Sequence, residues 1–165
     1  METPDETTIY ALKKAKENRC TTILNPAPAR KIDEENFKLI DFFTPNETEA
    51  EFYLNKKIKT EIDIKDAGNE LLKKGVKNVI ITLGDKGVYF ANNEENFFIN
   101  AFNLKQPVLD TTGAGDAFNG ALSVGLANNL KIKEALTFAN KIAGISTTKL
   151  GAAASMPFKK DLVNY

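Results

Sequence analysis

Asp110-Thr111-Thr112-Gly113-Ala114-Gly115-Asp116 places two carboxylates on either side of a glycine turn. Pro107-Val108-Leu109 precedes the turn, and Ala117, Phe118, Ala121, Leu122, Val124 and Leu126 follow it. The pattern reads as a short buried strand, a tight turn, and the start of a largely buried helix. A helix that begins directly after such a turn points unpaired N–H groups and a partial positive charge at one spot. That spot suits an anion, phosphate above all. Asp116, at the helix start, has two readings. It is an N-cap, or it is a carboxylate that accepts the proton of an attacking hydroxyl during phosphoryl transfer. Asp110 is likewise either a turn former or part of the same site. Glycine spacing leaves both choices open.

Three other groups could do chemistry, and each has a plain structural reading beside it. Asn46 and Glu49 have the spacing of a helix N-cap and the N3 member of a capping box, which accounts for both. Thr82-Leu83-Gly84-Asp85-Lys86-Gly87 reads as a turn between two strands. Asn140 lies beside a helical apolar stripe, where an exposed helix asparagine is an ordinary reading.

The 110–116 segment resembles the second signature of the ribokinase-like (PfkB) sugar kinases. Asn25-Pro26-Ala27-Pro28-Ala29-Arg30, Thr44-Pro45-Asn46-Glu47-Thr48-Glu49-Ala50-Glu51, the 82–87 turn, and Gly151-Ala152-Ala153-Ala154-Ser155-Met156-Pro157 are similar to ribokinase blocks in the same order. The resemblance covers nearly the whole chain but only the second half of such a kinase. It implies a three-layer α/β domain with a mainly parallel sheet, and transfer of the ATP γ-phosphoryl group to a sugar hydroxyl, D-ribose first. It implies that Asp116 is the base and that Gly113, Ala114, Gly115 and Asp116 form the anion hole. Asn46, Thr82, Gly84, Gly87 and Asn140 then serve the nucleotide, Glu49 serves magnesium, and Glu2 and Asp116 meet the sugar. A monovalent cation, potassium, is implied at Asp110, Thr112 and the loop that holds Ser146, Lys149, Gly151 and Ser155. The family's first signature, with its paired glycines, has no counterpart here. Without the first half, the strand near residues 21–25 is expected at a sheet edge with Ile23 and Leu24 uncovered. Self-association or a complementing N-terminal chain is expected, and the isolated chain is expected to be inactive, which leaves a nucleotide-binding remnant as the rival reading.

The elements that must position these residues are those of an ordinary folded domain, expected over 1–165. Hydrophobic residues are 42% and charged residues 27% of the 165. Twenty-two basic against 22 acidic residues give no net charge, so nothing favours nucleic acid or an anionic membrane. The absence of histidine excludes His-based triads and His-ligated metals. Cys20, the only cysteine, allows no internal disulfide and fits a reducing, cytoplasmic setting. No apolar run approaches a membrane span, and the acidic start is not a signal peptide. No Gly-x-x-x-x-Gly-Lys-Ser/Thr run occurs, and Gly113-x-Gly115 lacks the third glycine of the dinucleotide fingerprint.

In chain order, Thr3, Pro4 and Glu6 read as an N-cap, first-turn proline and capping box opening a helix to about Asn18. Strands are expected at 21–25, 39–44, 79–83, 88–91 and 96–100, and a short polar helix at 33–38. A helix through Ile64, Ala67, Leu71 and Leu72 stops at Gly75, and another runs from Lys131 to Ser146. Alternating strands and helices give an α/β domain.

Overall fold

Val79, Ile80 and Ile81 have no exposed surface, and the five-stranded sheet is built around them. A computed structural model describes residues 1–164, so Tyr165 of the expected domain lies outside the described residues. They form two compact units: Met1–Gly84 with Val88–Phe98, and Asp85–Gly87 with the residues from Ile99 onward. In the first unit a helix α1 (Asp5–Glu17) leads to strand β1 (Ile23–Leu24), a 3-10 helix Glu34–Leu39, and strand β2 (Phe42–Phe43). Helices α2 (Glu47–Leu54) and α3 (Glu61–Lys73) then precede strands β3 (Asn78–Thr82), β4 (Val88–Ala91) and β5 (Asn96–Ile99). The sheet order is β1-β2-β3-β4-β5. β1, β2 and β3 are parallel, with Ile23 opposite Phe42 and Phe43 opposite Val79; β4 runs antiparallel to β3. Parallel strands covered on both faces need continuous apolar side chains, which is why β3 has no polar alternation. The architecture is the expected mixed α/β sheet.

Local chemistry explains the helices around this sheet. In α3, the Thr60 hydroxyl accepts from Asp63 N while the Asp63 carboxylate accepts from Thr60 N, a reciprocal capping box. Ile64, Ala67, Gly68 and Leu71 make its buried stripe. A Cβ on Gly68 would stand 2.7 Å from Tyr89 Cε1, so α3 lies close against β4. Gly75, at φ +109, ends the turn after α3 as expected.

Several expectations are corrected. The capping box at Thr3 does not form: Pro4 occupies the cap position of α1, and the Thr3 hydroxyl pairs with that of Thr8 at 2.8 Å. Pro4, extended at ψ 143, delays the helix by one residue and puts Thr3 beyond reach of the first-turn amides. The strand expected over 39–44 shrinks to Phe42–Phe43, because the 3-10 helix extends to Leu39 and Ile40 caps it. No strand forms at Val108-Leu109, and both side chains are 57% exposed. The amides of Leu109 and Asp110 converge on one carbonyl, Thr147 O, at 2.8 and 3.2 Å; consecutive amides in a ladder point to opposite sides. β1 is at the sheet edge as expected, but Leu24 is buried, not uncovered. It shares a core cluster with Met1, Leu12 and Ile32, and the Met1 ammonium donates to the carbonyls of Asn25 (2.9 Å) and Ala27.

The second unit is organised by helices α4 (Ala114–Ala127) and α5 (Ile132–Ser146). Ala117, Phe118, Ala121, Leu122 and Gly125 are buried on α4, and Ala135, Leu136, Ala139, Ile142 and Ile145 on α5. A Cβ on Gly125 would come within 2.9 Å of Ala135 Cβ, so the two helices meet over a glycine–alanine contact. Among the described residues, no helix is long and apolar enough to cross a membrane.

Candidate active site

Gly113 is the N-cap of α4, at φ +79, and offers no side-chain cap. A Cβ there would be strained by that φ and would stand 3.1 Å from Ala152 Cα and from Met156 Cε. Glycine is favoured there by conformation, and the approach of Ala152 leaves little room for a side chain. Ala114 N donates to Thr111 O at 3.1 Å, which closes the turn. The amides of Gly113, Gly115 and Asp116 have no acceptor among the described residues. An uncapped helix N-terminus with free amides carries a partial positive charge and attracts an anion. Asp116 lies in that first turn and its side chain is exposed, so the N-cap reading of this carboxylate does not hold.

Asp110 is tied into the same unit. Its Oδ1 accepts from Thr112 N, and its Oδ2 accepts from Gly151 N, both at 2.9 Å. The Thr112 side-chain and backbone bonds, then the Gly151 amide, hold the Asp110 carboxyl below its usual range. The turn-former reading is thus part of the answer, and the bond to Gly151 fastens the turn to the 146–155 loop. In that loop Ser146 and Ser155 are buried, with hydroxyls donating to Ala143 O and Ala152 O at 2.7 Å each. Lys149 is exposed and pairs with Asp161 at 3.9 Å. Asp110 and the two serines carry oxygen, the donor type that a hard cation takes, and each of these groups already has a partner within the unit. Asn140 is buried, not exposed: its Nδ2 donates to Asn100 O at 2.7 Å and anchors the chain after β5. Gly87, at φ +102, is also in this unit, and a Cβ there would collide with Ile99 O at 2.0 Å.

In the first unit the capping box at α2 is complete. Asn46 Oδ1 accepts from Glu49 N at 2.8 Å, and Glu49 Oε2 accepts from Asn46 N at 2.9 Å. Asn46 also bridges Thr82, and Thr82 N donates to Pro45 O at 2.9 Å. Asn46, Glu49 and Thr82 therefore stand together at the C-terminal ends of β2 and β3, with Gly84 two residues past Thr82. Carboxyl ends of parallel strands are where α/β sheets bind ligands. Glu49 keeps its second carboxylate oxygen, and one carboxylate with phosphate oxygens and water is a sufficient donor set for magnesium. Among the described residues no cluster of three or more His, Cys, Asp or Glu could hold a metal alone. Glu2 is exposed, beside the buried Met1.

The sequence reading missed Asp41. Its carboxylate is buried and receives Thr22 N at 3.0 Å, Thr22 Oγ1 at 3.1 Å, Lys77 Nζ at 2.8 Å and Lys16 Nζ. An aspartate between Ile40 and Phe42 in a strand pattern was the available signal.

Comparison with known proteins identifies the family and the fold. The family model of the pfkB family carbohydrate kinases matches residues 2–159. A ribokinase of Staphylococcus aureus is 39% identical over 163 residues, covering 98% of this chain and 53% of the relative. The crystal structure of a Thermotoga maritima ribokinase superposes with a TM-score of 0.82 at 39% identity, over 93% of this chain and 51% of that one. An Arabidopsis thaliana ribokinase, solved with ribose and ATP, superposes with a TM-score of 0.90 at 32% identity, over 98% and 52%. The chain spans about half the length of the curated relatives it matches. A glycine-bounded helix start with free amides, an α/β sheet of this order and a family match over nearly the whole length lead to one conclusion: the chain belongs to the pfkB family of carbohydrate kinases.

Proposed function

We propose that this chain carries the nucleotide-binding and catalytic-base half of an ATP-dependent sugar kinase of the ribokinase type, with D-ribose converted to ribose 5-phosphate as the first candidate reaction. The observation that carries this reading is the uncapped start of α4, where the amides of Gly113, Gly115 and Asp116 are free and the Asp116 side chain is exposed. The amides of Gly113, Gly115 and Asp116 hold the negative charge of the transferring phosphoryl group, and Asp116 takes the proton of the attacking hydroxyl. Asn46, Thr82, Gly84, Gly87 and Asn140 serve the nucleotide. Glu49 would hold magnesium, and Asp110, Thr112 and the 146–155 loop a potassium ion. When bound, these cations would offset phosphate charge and steady the anion hole. Glu2 is assigned to the sugar on family resemblance alone.

Because the chain spans about half the length of its relatives, we expect nucleotide binding without turnover when it is alone. Turnover then depends on a complementing N-terminal segment, or on self-association that supplies the missing surface. Calorimetry with ATP and magnesium at millimolar concentration tests the first step. Binding is expected for the parent chain and for Asp116→Asn, and its loss for Gly113→Ala. A parent chain that binds no nucleotide, or a Gly113→Ala chain that binds as the parent does, would overturn the assignment. With the N-terminal half of a relative added, ribose-dependent ADP release is expected from the parent and not from Asp116→Asn.

A further inference from the structure

At the opposite end of the parallel strands from Asn46 and Thr82, a cleft of about 440 Å³ opens between the end of α1 and the starts of β2 and β3. Lys16, Arg19, Thr21, Asp41, Lys77 and Asn78 line it. Three cations share a single carboxylate there, which leaves a local excess of two positive charges. Asp41 is already engaged by Thr22 and by both lysines, so it has little left to offer Arg19. Among the described residues the Arg19 side chain has no hydrogen bond or ion pair, and only its backbone N–H is engaged, by Lys16 O. In a chain with no net charge such an excess is a local property.

The backbone at Arg19 points the same way. Arg19 N donates to Lys16 O at 3.0 Å and Cys20 N to Ala15 O at 2.8 Å, the paired bonds of a Schellman helix end. The left-handed residue of that motif is favoured as glycine, yet here it is an arginine at φ 57. A cation in the last turn satisfies the helix dipole, and Lys16 does so. That account covers neither an arginine held in a conformation arginine disfavours nor Lys77, which comes from the start of β3. Strain retained at one residue needs a compensating role elsewhere.

We propose that this cleft binds a phosphomonoester dianion, either inorganic phosphate or the phosphate of a small phosphorylated metabolite, separately from the nucleotide-binding turn at Gly113. Two negative charges match the local excess. Guanidinium presents the planar fork that phosphate accepts in two parallel hydrogen bonds, and the lysines add point charges with spare donors. The cleft admits a small molecule.

The test is an amide chemical-shift titration of the 165-residue chain at constant ionic strength, with inorganic phosphate in one series and ribose 5-phosphate in another. Saturable shifts at Arg19, Cys20, Thr21 and Lys77 are expected in at least one series. Tighter binding of ribose 5-phosphate would assign the site to phosphorylated metabolites, and equal affinity would assign it to phosphate itself. Arg19→Gly removes the charge while placing glycine where the backbone favours it, so the fold should persist and affinity should fall about tenfold. Lys77→Gln should weaken binding by a similar factor. Shifts confined to residues 113–116, or unchanged affinity in both variants, would overturn the proposal. ATP binding by Arg19→Gly should equal that of the parent, so failure at this cleft and failure at the nucleotide turn are read separately.

Discussion

Asp41 shows how one residue can govern both charge and stability. Burial pushes its carboxyl up, but hydrogen bonds from Lys16, Lys77 and Thr22 outweigh that and bring it from an ordinary 3.8 to about 2. Lys77 is raised in turn by its bond to Asp41. A carboxyl depressed in the folded state stabilises the protein fully above its unfolded value. That stabilisation is lost as pH falls from 3.8 through about 2. The contribution is on the order of 2 kcal/mol. Denaturant unfolding of the parent and of Asp41→Asn should therefore differ most near neutrality, and the gap should narrow across that acid window. A gap that stays constant with pH would mean that the carboxylate's charge is not what stabilises the fold.

Among the elements, α4 and α5 are joined where they have least room. Gly125→Val would place branched carbon against Ala135, already 2.9 Å from an ideal Cβ, and should cost about 1–3 kcal/mol of stability. Thermal unfolding measures this; Gly120→Ala is the control, since a Cβ there meets nothing within 4 Å. At α2, Asn46→Ala removes an observed cap and should cost about 1 kcal/mol. The same change should weaken magnesium-dependent nucleotide binding if Asn46 serves the site. Asn46→Asp retains the cap acceptor and should restore stability. Comparing the two variants separates helix capping from ligand binding.

For the whole molecule, the exposed edge of the sheet carries the main consequence. β1 is the terminal strand, so its outer side has no partner strand among the described residues. An open edge is a template for another chain, and no net charge opposes association at long range. Beside it lies an open cleft of about 580 Å³ that exposes parts of Ile9 and Tyr10. Sedimentation velocity should show concentration-dependent association, reduced by Ile23→Lys, which puts a charge on the edge strand. A parent chain that remains monomeric at high concentration would remove this expectation.

The sequence by itself determined the glycine turn, the capping pair of Asn46 and Glu49, and most of the order of strands and helices, though not the box at Thr3 or the strand at Val108-Leu109. These depend on local physics: φ at Gly113, side-chain reach at Asn46 and Glu49, and apolar continuity at 79–81. It also carried the family, through five motifs in register. Tertiary structure alone decided what became of residues whose local preferences were weak. Val108 and Leu109 are apolar enough for a strand, yet two residues cannot build a ladder once a single carbonyl on another element captures both neighbouring amides. Sequence left Asn140 open between an exposed helix residue and a nucleotide contact; packing buried it, and Asn100 supplied an acceptor. Asp41 and Arg19 are far from Lys77 in sequence, so the charge excess they form with Lys16 exists only where α1 ends beside the starts of β2 and β3. Local periodicity reports which way a side chain faces, but only the folded chain decides what it meets there.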